Sequence, residues 1–545
     1  MEIFRLWRNP VFLRFCRSRL RLRKSIFWYL LTLIVTSFVV SLIYIIGTNS
    51  GTPAQDVARG LWIAVLVIQG LILMIKGTGS VSAGFIQDKI DQTLDYQRLT
   101  PVTPARNLVG YLFGLPVLEY VMLLLTLPHL VFIVVVGQIP LTTVFSVYLV
   151  FFTCVILYHV IGIAAGMVMR RWIWGYLLSI FLVVFVNIIL PAFISQLGLK
   201  FVQYLSVWPV IGQKVLPLLG ILPLAASQNP FLSMAAAVPF YTWNLSAFTF
   251  TLLLQSALIA TFATMALRKW RSSRRHALSR LYGLGFLTCF VVLLLGNLWP
   301  AITRQYMPFA IFGETNFEEL NQALAVGLPL VYCLVIWLLC FVLFSIVIPD
   351  HHSYVRGLRR AIKLQRNAAR PWEDDSGSVL FMGLFTVVAL VGFWVLFNEI
   401  AQSGFLGFLV DSGLGTWRLP VALGLVVVCT GLLLQVFELK ATILVVLLLW
   451  LLPILVAIVL SAAIEDFGNP HAVIASLSPL ALVLMSGLIP MFAPGSGGAT
   501  FDAVLVGIYS GLTFVLIQIV YLLVRWHKLT GSYYRQCRST PSMQP

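Results

Sequence analysis

The sequence predicts an all-α polytopic membrane protein of about twelve transmembrane helices, arranged as two six-helix halves. Of its 545 residues, 60% are hydrophobic and only 10% are charged, whereas soluble domains average roughly 45–50% apolar and about 25% charged residues. Apolar runs of about 20 residues recur along the chain, and basic residues cluster between them. A chain of this composition cannot cover itself with polar surface, so lipid must be the solvent for much of it.

Each apolar run long enough to cross a bilayer is predicted to be a helix, because lipid offers no partners for unpaired backbone groups. The candidate spans are residues 26–46, 61–83, 109–136, 144–168, 172–196, 245–267, 281–300, 324–348, 379–398, 419–437, 441–463 and 501–525. Two further apolar stretches, 204–226 and 472–493, are interrupted by prolines. We interpret both as re-entrant or interfacial pieces on the outer side, because a single crossing by either would place the next basic cluster outside.

The distribution of basic residues predicts the orientation of the chain. If the arginine-rich N-terminal arm lies in the cytoplasm, 30 of the 36 Lys and Arg residues fall on the cytoplasmic side of these spans. Because cytoplasmic loops carry the excess of Lys and Arg, both termini are expected in the cytoplasm, facing anionic membrane lipids. The expected location is a bacterial plasma (inner) membrane.

The same frame predicts how the chain is divided. We expect an amphipathic N-terminal arm over residues 1–25, a first six-helix half over 26–270, a second over 271–526 and a cytoplasmic tail over 527–545. Each half has a polar cytoplasmic segment after its second span and a broken apolar loop before its sixth. The repeat is therefore one of topology and not of residue identity.

The net charge of +17 does not indicate nucleic-acid binding, because the basic residues lie between hydrophobic runs where they orient a membrane protein. The seven cysteines form no C-x-x-C pair, so we expect neither a disulfide framework nor a metal site. No cofactor site is predicted, and no segment matches the nucleotide-binding pattern G-x-x-x-x-G-K-[ST]. Any ATP hydrolysis must therefore occur on a separate subunit.

The first long cytoplasmic segment carries the most informative pattern. Between residues 85 and 100, apolar residues recur at near-helical spacing with charged residues between them, which predicts a short amphipathic helix along the membrane face. Prolines at 101 and 104 are expected to end it. The segment contains Asp88-Lys89, Asp91, Thr93-Leu94, Arg98 and Leu99-Thr100-Pro101, and Gly110 follows at the start of the next span.

This pattern resembles that of the type-2 class of ATP-binding-cassette transporter permeases, the exporter-type membrane subunits. The resemblance rests on Asp88-Lys89, Thr93-Leu94, Leu99-Thr100-Pro101 and Gly110, and with the six-span frame it covers roughly residues 1–270. It implies that residues 85–100, including Asp91 and Arg98, form a coupling helix that docks on a separate cassette ATPase dimer. It also implies that residues 3–23 form an amphipathic connecting helix. The alternative is a solvated loop helix preceded by a simple topology signal.

The second half departs from the family pattern. Its corresponding segment, residues 351–370, is basic and lacks the Thr-Pro pair. One interpretation is a second, divergent coupling segment carried by Arg356, Arg359, Arg360 and Lys363. The other is a loop that faces anionic lipid.

Two ionisable residues fall inside predicted spans at similar depth, Lys76 in the second and Glu119 in the third. Ionisable groups inside a membrane are costly and are commonly functional. We hypothesise that the two form an ion pair. The alternative is that Lys76 extends to the lipid headgroups while Glu119 forms local hydrogen bonds.

The resulting functional hypothesis is the permease subunit of an ATP-driven exporter of an unidentified hydrophobic, lipid or glycan substrate, with no catalytic site of its own. One alternative is a secondary transporter, since two six-helix halves also occur in that class. The other is a membrane-embedded enzyme acting on lipid-linked substrates, which would need clustered carboxylate, His or Ser side chains at a membrane face.

Overall fold

The computed structural model describes most of the chain, and the account below refers to those residues. They are 6–169, 171–194, 199–220, 238–272, 275–302, 317–366, 370–402, 417–437, 439–463, 474–475, 477–488 and 498–539. The first five residues of the predicted arm, 540–545 of the predicted tail, 367–369 of the second basic segment, and 221–226, 472–473, 476 and 489–493 of the two broken outer loops lie outside the described residues.

The prediction of an all-α polytopic membrane protein is confirmed. In the described part of the chain, 12 helices are long and apolar enough to cross a membrane. The chain divides into two compact units, Met1–Ala277 and Leu278–Pro545. Six of the candidate spans fall in each unit.

The first unit consists almost entirely of helices. Its α-helices are α1 Pro10–Arg19, α2 Leu22–Asn49, α3 Ala54–Gly70, α4 Thr78–Ile90, α5 Thr93–Leu99, α6 Pro104–Gly114, α7 Val117–Val136, α8 Leu141–Val168, α9 Trp172–Val184, α10 Trp208–Lys214 and α11 Ala247–Arg271. Two π-helical stretches extend these elements: Leu71–Gly77 joins α3 to α4, and Phe185–Ile194 continues α9. Short 3₁₀ turns occupy Leu6–Arg8, Lys200–Leu205 and Leu216–Leu219.

A small antiparallel hairpin precedes α11. Strands β1 Val238–Phe240 and β2 Trp243–Leu245 pair with Val238 opposite Leu245. The short helical pieces Trp208–Lys214 and Leu216–Leu219 lie where the sequence predicts a broken outer loop, 204–226, and the hairpin follows that stretch.

The second unit is also helical. Its helices are α12 Arg280–Ile302, α13 Phe317–Val347, α14 His351–Lys363, α15 Val379–Gln402, α16 Arg418–Val436, α17 Leu439–Val445, α18 Leu452–Ala463, α19 Pro479–Leu488 and α20 Gly498–Ser539. A π-helical stretch, Val446–Leu451, joins α17 to α18. The last helix continues past the predicted end of the final span, so the described part of the predicted tail is helical up to Ser539.

The structure differs from the sequence-based expectation at two helix boundaries. Residues 85–100 do not form one helix: α4 continues the second span to Ile90, and α5 is a separate helix after Gln92, whose φ of 57° is left-handed. The expected third span, 109–136, is likewise two helices, α6 and α7, separated at Pro116. Proline causes such a break because it lacks an N–H donor and its ring clashes with the carbonyl four residues earlier.

A buried cluster ties together the elements at one end of the first unit. It contains residues of α1, α4, α5, α6, α8 and α11, which are Val11, Phe15, Val81, Phe85, Leu94, Leu108, Tyr111, Leu112, Leu115, Val160, Ile163, Ala266 and Trp270. The arm helix α1 packs closely on α6 because two glycines leave room for it. A Cβ at Gly110 would lie 2.9 Å from Val11 Cβ, and one at Gly114 would lie 2.9 Å from Phe15 Cδ2.

Candidate functional site

The candidate site is the end of the first unit where α4 and α5 meet the arm and the C-terminal ends of α8 and α11. Asp88, near the end of α4, accepts hydrogen bonds from two different elements. Arg14 of α1 pairs with it, and the Tyr111 hydroxyl of α6 donates to Asp88 Oδ2 at 2.5 Å. Its side chain is 16% exposed. Asp88 therefore joins the arm and α6 to the end of the second span.

Lys89, the next residue, contacts the end of helix α8. Its Nζ donates to the backbone carbonyls of Met167, at 2.5 Å, and Met169, at 3.3 Å. The last carbonyls of a helix have no partners within the helix and carry its partial negative charge, so an ammonium group there is favourable. Lys89 thus connects α4 to the end of α8.

The short helix α5 is held on its inner side. Leu94 belongs to the buried cluster, and Arg98 donates from Nε to the Trp270 carbonyl at 3.0 Å and from Nη2 to the Lys269 carbonyl at 3.3 Å. Arg98 also pairs with Asp95 at 2.6 Å. Because these contacts involve the last turn of α11, α5 is fixed to the sixth span of the unit.

The outer side of α5 carries two exposed apolar side chains beside the exposed Asp95. Tyr96 is 71% exposed and Leu99 is 85% exposed, and Ile90 at the end of α4 is also exposed. Tyr96 and Leu99 lie three residues apart and so share one helix face. Both lie beyond the candidate span Ala54–Ile90. We call Ile90, Tyr96 and Leu99 the exposed apolar face.

The remaining predicted residues of this segment have local roles. Asp91 and Pro101 are exposed, and Asp91 accepts a hydrogen bond from Gln87 at 3.0 Å. Thr93 begins α5, and the Thr100 hydroxyl donates to the Gln97 carbonyl at 2.7 Å just after its end. These residues shape the ends of α5 and do not belong to its buried side.

Tyr111 is the residue on which this arrangement converges, and no motif in the sequence singles it out. Its ring contacts Phe15, Phe85 and Trp270 edge-on, with centroid distances of 5.3, 5.3 and 5.6 Å. Burial and the negative charge of Asp88 raise the pKa of the Tyr111 phenol well above its usual range. The phenol therefore stays protonated at physiological pH and remains a donor to Asp88.

The arm helix is attached by polar contacts as well. Asn9 caps α1 by accepting the Val11 backbone N–H at 3.0 Å, and its Nδ2 donates to the Arg106 carbonyl at 2.6 Å. The Arg106 guanidinium in turn donates to the Arg8 carbonyl. These contacts between residues nearly 100 positions apart orient α1 across the start of α6.

The predicted intramembrane residues meet in the structure. Lys76 Nζ lies 2.9 Å from Glu119 Oε1, which also accepts a hydrogen bond from the Ser80 hydroxyl at 2.9 Å. Glu119 is 1% exposed, and Lys76 lies over the Trp28 ring at 4.4 Å from its centroid. The ammonium group is therefore directed to Glu119 and an aromatic face.

Lys76 lies within the π-helical stretch Leu71–Gly77, where the regular backbone hydrogen bonds are interrupted, whereas Glu119 lies in the first turn of α7. His159 of α8 is buried, and its Nε2 lies 3.1 Å from the Leu73 carbonyl in that stretch. Its Nδ1 lies 3.4 Å from the Tyr120 hydroxyl. A neutral imidazole that donates from Nε2 and accepts at Nδ1 satisfies both contacts. His159 thus stabilises the irregular backbone beside Lys76.

The predicted second coupling segment forms α14. Asp350 caps it by accepting the Ser353 backbone N–H at 3.0 Å. Arg356 and Arg360 pair with Asp375 at 3.5 and 3.8 Å, whereas Arg359 and Lys363 are exposed.

The loop that carries Asp375 is held by Arg280, a buried residue at the start of α12. Its guanidinium donates to the carbonyls of Pro371 at 2.8 Å, Ser376 at 2.5 Å and Gly377 at 3.0 Å. Hydrogen bonds of this kind offset the cost of burying a charged group. Arg280 therefore fixes the loop against which α14 packs.

Within the described residues, no group of three or more His, Cys, Asp or Glu side chains is placed to hold a metal ion. Comparisons with protein-family models, with characterised proteins and with solved structures found no match.

Proposed function

We propose that this chain is the membrane-spanning permease subunit of an ATP-driven transporter, coupled to a separate cassette ATPase that acts as a dimer. The expected direction is export, and the expected substrate class is a hydrophobic molecule, a lipid or a glycan. The proposal combines the resemblance of residues 88–110 to the type-2 cassette permeases with the geometry of α5.

The observation that carries the proposal is the two-sided nature of α5. Its inner side is anchored by Leu94 and Arg98, whereas Tyr96 and Leu99 on its outer side remain exposed beyond the membrane span. Burying a large apolar side chain contributes about 1.5–3 kcal/mol. A rigidly held helix with an unburied apolar face is suited to dock on a partner and to transmit its movement.

The contacts around α5 also suggest the route of that movement. Arg98 connects α5 to α11, and α4 is the continuation of α3 through the π-helical stretch. Asp88 and Lys89 connect the end of α4 to α1, α6 and α8. In this proposal Asp88 and Lys89 position the coupling helix from inside, while the exposed apolar face contacts the ATPase.

The orientation belongs to the same proposal. With the arm and α5 in the cytoplasm, both termini are cytoplasmic and the chain resides in a bacterial inner membrane, in keeping with the excess of Lys and Arg on that side. The exposed apolar face would then be accessible to a cytoplasmic ATPase.

The test is co-purification of the tagged full-length chain from its native membranes in mild detergent. The wild-type chain is expected to carry a subunit with a nucleotide-binding motif, in fixed stoichiometry and with ATPase activity. The Tyr96→Ser/Leu99→Ser double variant should lose this subunit. Each substitution removes about 2 kcal/mol of apolar burial, which corresponds to about 30-fold in affinity.

The matched control is Trp243→Ser, which removes a 66%-exposed apolar side chain from β2. This variant should retain the ATPase, and thermal unfolding should show all three proteins equally folded. A wild-type chain that carries no such subunit, or a double variant that keeps it at wild-type stoichiometry, would refute the proposal.

A second candidate, a secondary transporter, is favoured by one observation. Buried Glu119 pairs with Lys76, which lies in an irregular part of a span, and such pairs occur in proton and ion pathways. Uptake into vesicles of the reconstituted chain alone, driven by an ion gradient without ATP and abolished in Glu119→Gln, would establish this candidate. Among the described residues, no observation favours the membrane-embedded enzyme.

A further inference from the structure

A cavity of about 890 Å³ opens in the second unit where several helices end. It is lined by the last residues of α13 and α16, the first residues of α14 and α17, and Tyr533 of α20. The candidate spans Gly327–Val347 and Arg418–Val436 end at this cavity, and the span Leu439–Leu460 begins there. The cavity therefore lies at the boundary of the membrane.

The polar side of the cavity is basic. His351, His352, Arg356 and Arg359 line it. Arg359 and His352 are exposed and have no hydrogen-bond or ion-pair partner among the described residues, whereas Arg356 is already paired with Asp375. The one acidic side chain in the lining is Asp350, whose Oδ1 is engaged in capping α14. Arg359 is therefore the cation best able to accept an anionic ligand.

His351 provides a second, independent feature. Its Nδ1 lies 3.1 Å from the Tyr533 hydroxyl, which fixes the ring against α20. Its Nε2 is buried and has no hydrogen-bond partner. An imidazole whose Nδ1 accepts from the tyrosine carries its proton on Nε2, and that N–H is left to donate to a ligand oxygen.

The opposite side of the cavity is apolar. It consists of side chains from the ends of the spans, which are Phe344, Ile348, Leu434, Phe437 and Leu439. A basic side next to an apolar wall at the membrane boundary matches an amphiphile with an anionic head. Basic pockets between transmembrane helices bind the phosphate-containing headgroups of anionic lipids.

We propose that this cavity binds the phosphate group of an anionic membrane lipid, with Arg359 and His351 as its donors and the apolar wall against the adjoining acyl chains. The planar guanidinium of arginine suits phosphate because it can form two parallel hydrogen bonds. This inference goes beyond the proposed function and does not depend on an ATPase partner.

The experiment measures lipid retention by native mass spectrometry of the full-length protein in nanodiscs of equal parts phosphatidylglycerol and phosphatidylcholine. The wild-type protein is expected to retain phosphatidylglycerol in preference to phosphatidylcholine. Arg359→Gln should weaken that binding about 5-fold, the effect of one basic residue near an anionic lipid. Arg359→Lys keeps the positive charge and should retain most of the phosphatidylglycerol binding.

The matched control is Arg360→Gln, which removes the neighbouring arginine of α14 that does not line the cavity. It should bind phosphatidylglycerol as the wild type does, and equal thermal unfolding of the variants will exclude misfolding. A parallel titration with inorganic phosphate separates the two possible sources of the ligand. Displacement of phosphatidylglycerol by another anionic lipid, but not by inorganic phosphate, supports the headgroup site. A preference for phosphatidylglycerol that is unchanged in Arg359→Gln overturns it, and so does displacement of the lipid by inorganic phosphate alone.

Discussion

At the scale of single residues, the candidate site depends on polar groups that satisfy one another inside the protein. Tyr111 donates to Asp88, and Lys76 donates to Glu119, a carboxylate that is almost entirely buried. Removing one partner of such a pair leaves the other desolvated and unpaired, which costs more than the pair itself contributes. The residue-level predictions concern these two contacts.

Replacing Tyr111 with Phe should lower the free energy of unfolding by about 1–2 kcal/mol, because Asp88 loses a hydrogen bond while the ring packing remains. Since the pKa of Tyr111 is raised by burial, the loss should be the same throughout the neutral pH range. The measurement is thermal unfolding of the purified protein. Tyr96→Phe, which removes the same hydroxyl from an exposed ring, should change nothing. Equal stability of the Tyr111→Phe and Tyr96→Phe variants would contradict the role of the Tyr111 hydroxyl as a donor to Asp88.

Replacing Lys76 with Met should destabilise the protein by about 3 kcal/mol, because the buried Glu119 carboxylate loses its counter-ion. Lys76→Met combined with Glu119→Gln should recover part of the loss, giving a coupling energy of about 1 kcal/mol or more in the double-mutant cycle. Unfolding in detergent, followed by tryptophan fluorescence, provides the four values. Strictly additive effects would show that the two side chains do not interact.

At the scale of elements, the first unit uses close helix contacts to place the proposed coupling region. The arm helix α1 lies against α6 because Gly110 and Gly114 have no side chains, and it supplies Arg14 to Asp88. The short helix α5 is attached to α11 through Arg98. The amphipathic pattern of residues 85–100 predicts helix in this region. The separation into α4 and α5 falls at Gln92, whose φ is left-handed, and Leu94 is buried in the cluster just after it. No proline or glycine within residues 85–100 marks this break in the sequence.

Replacing Gly110 with Ala should displace the arm, because the new Cβ would lie 2.9 Å from both Asn9 Oδ1 and Val11 Cβ. Overpacking of this kind costs about 1–3 kcal/mol. The measurement is limited trypsin digestion, in which the arginines of α1 should be cleaved faster than in the wild type. Gly60→Ala, whose Cβ would meet nothing within 4 Å, is the control and should not accelerate cleavage. An arm that resists trypsin equally in both variants would argue against the close contact.

At the scale of the whole molecule, the dominant physical fact is that lipid is the solvent. The apolar runs predict the twelve spans well, since a helix is the structure that satisfies the backbone of such a run in lipid. Proline and glycine residues shift individual helix boundaries, as at Pro116. The assignment to a cassette transporter rests on the coupling region and on the resemblance of its motif, and the co-purification experiment tests it.

The sequence alone determined the fold class and the number of spans, because these follow from composition and local periodicity. It also supplied the motif on which the proposed coupling segment rests. It left open whether Lys76 pairs with Glu119, and it did not indicate the contacts of Asp88 with Arg14 and Tyr111. Only the tertiary structure decided these, together with the exposed side of α5. The physical reason is that hydrogen bonds and ion pairs act over a few ångströms, so their partners depend on how helices distant in the sequence pack together.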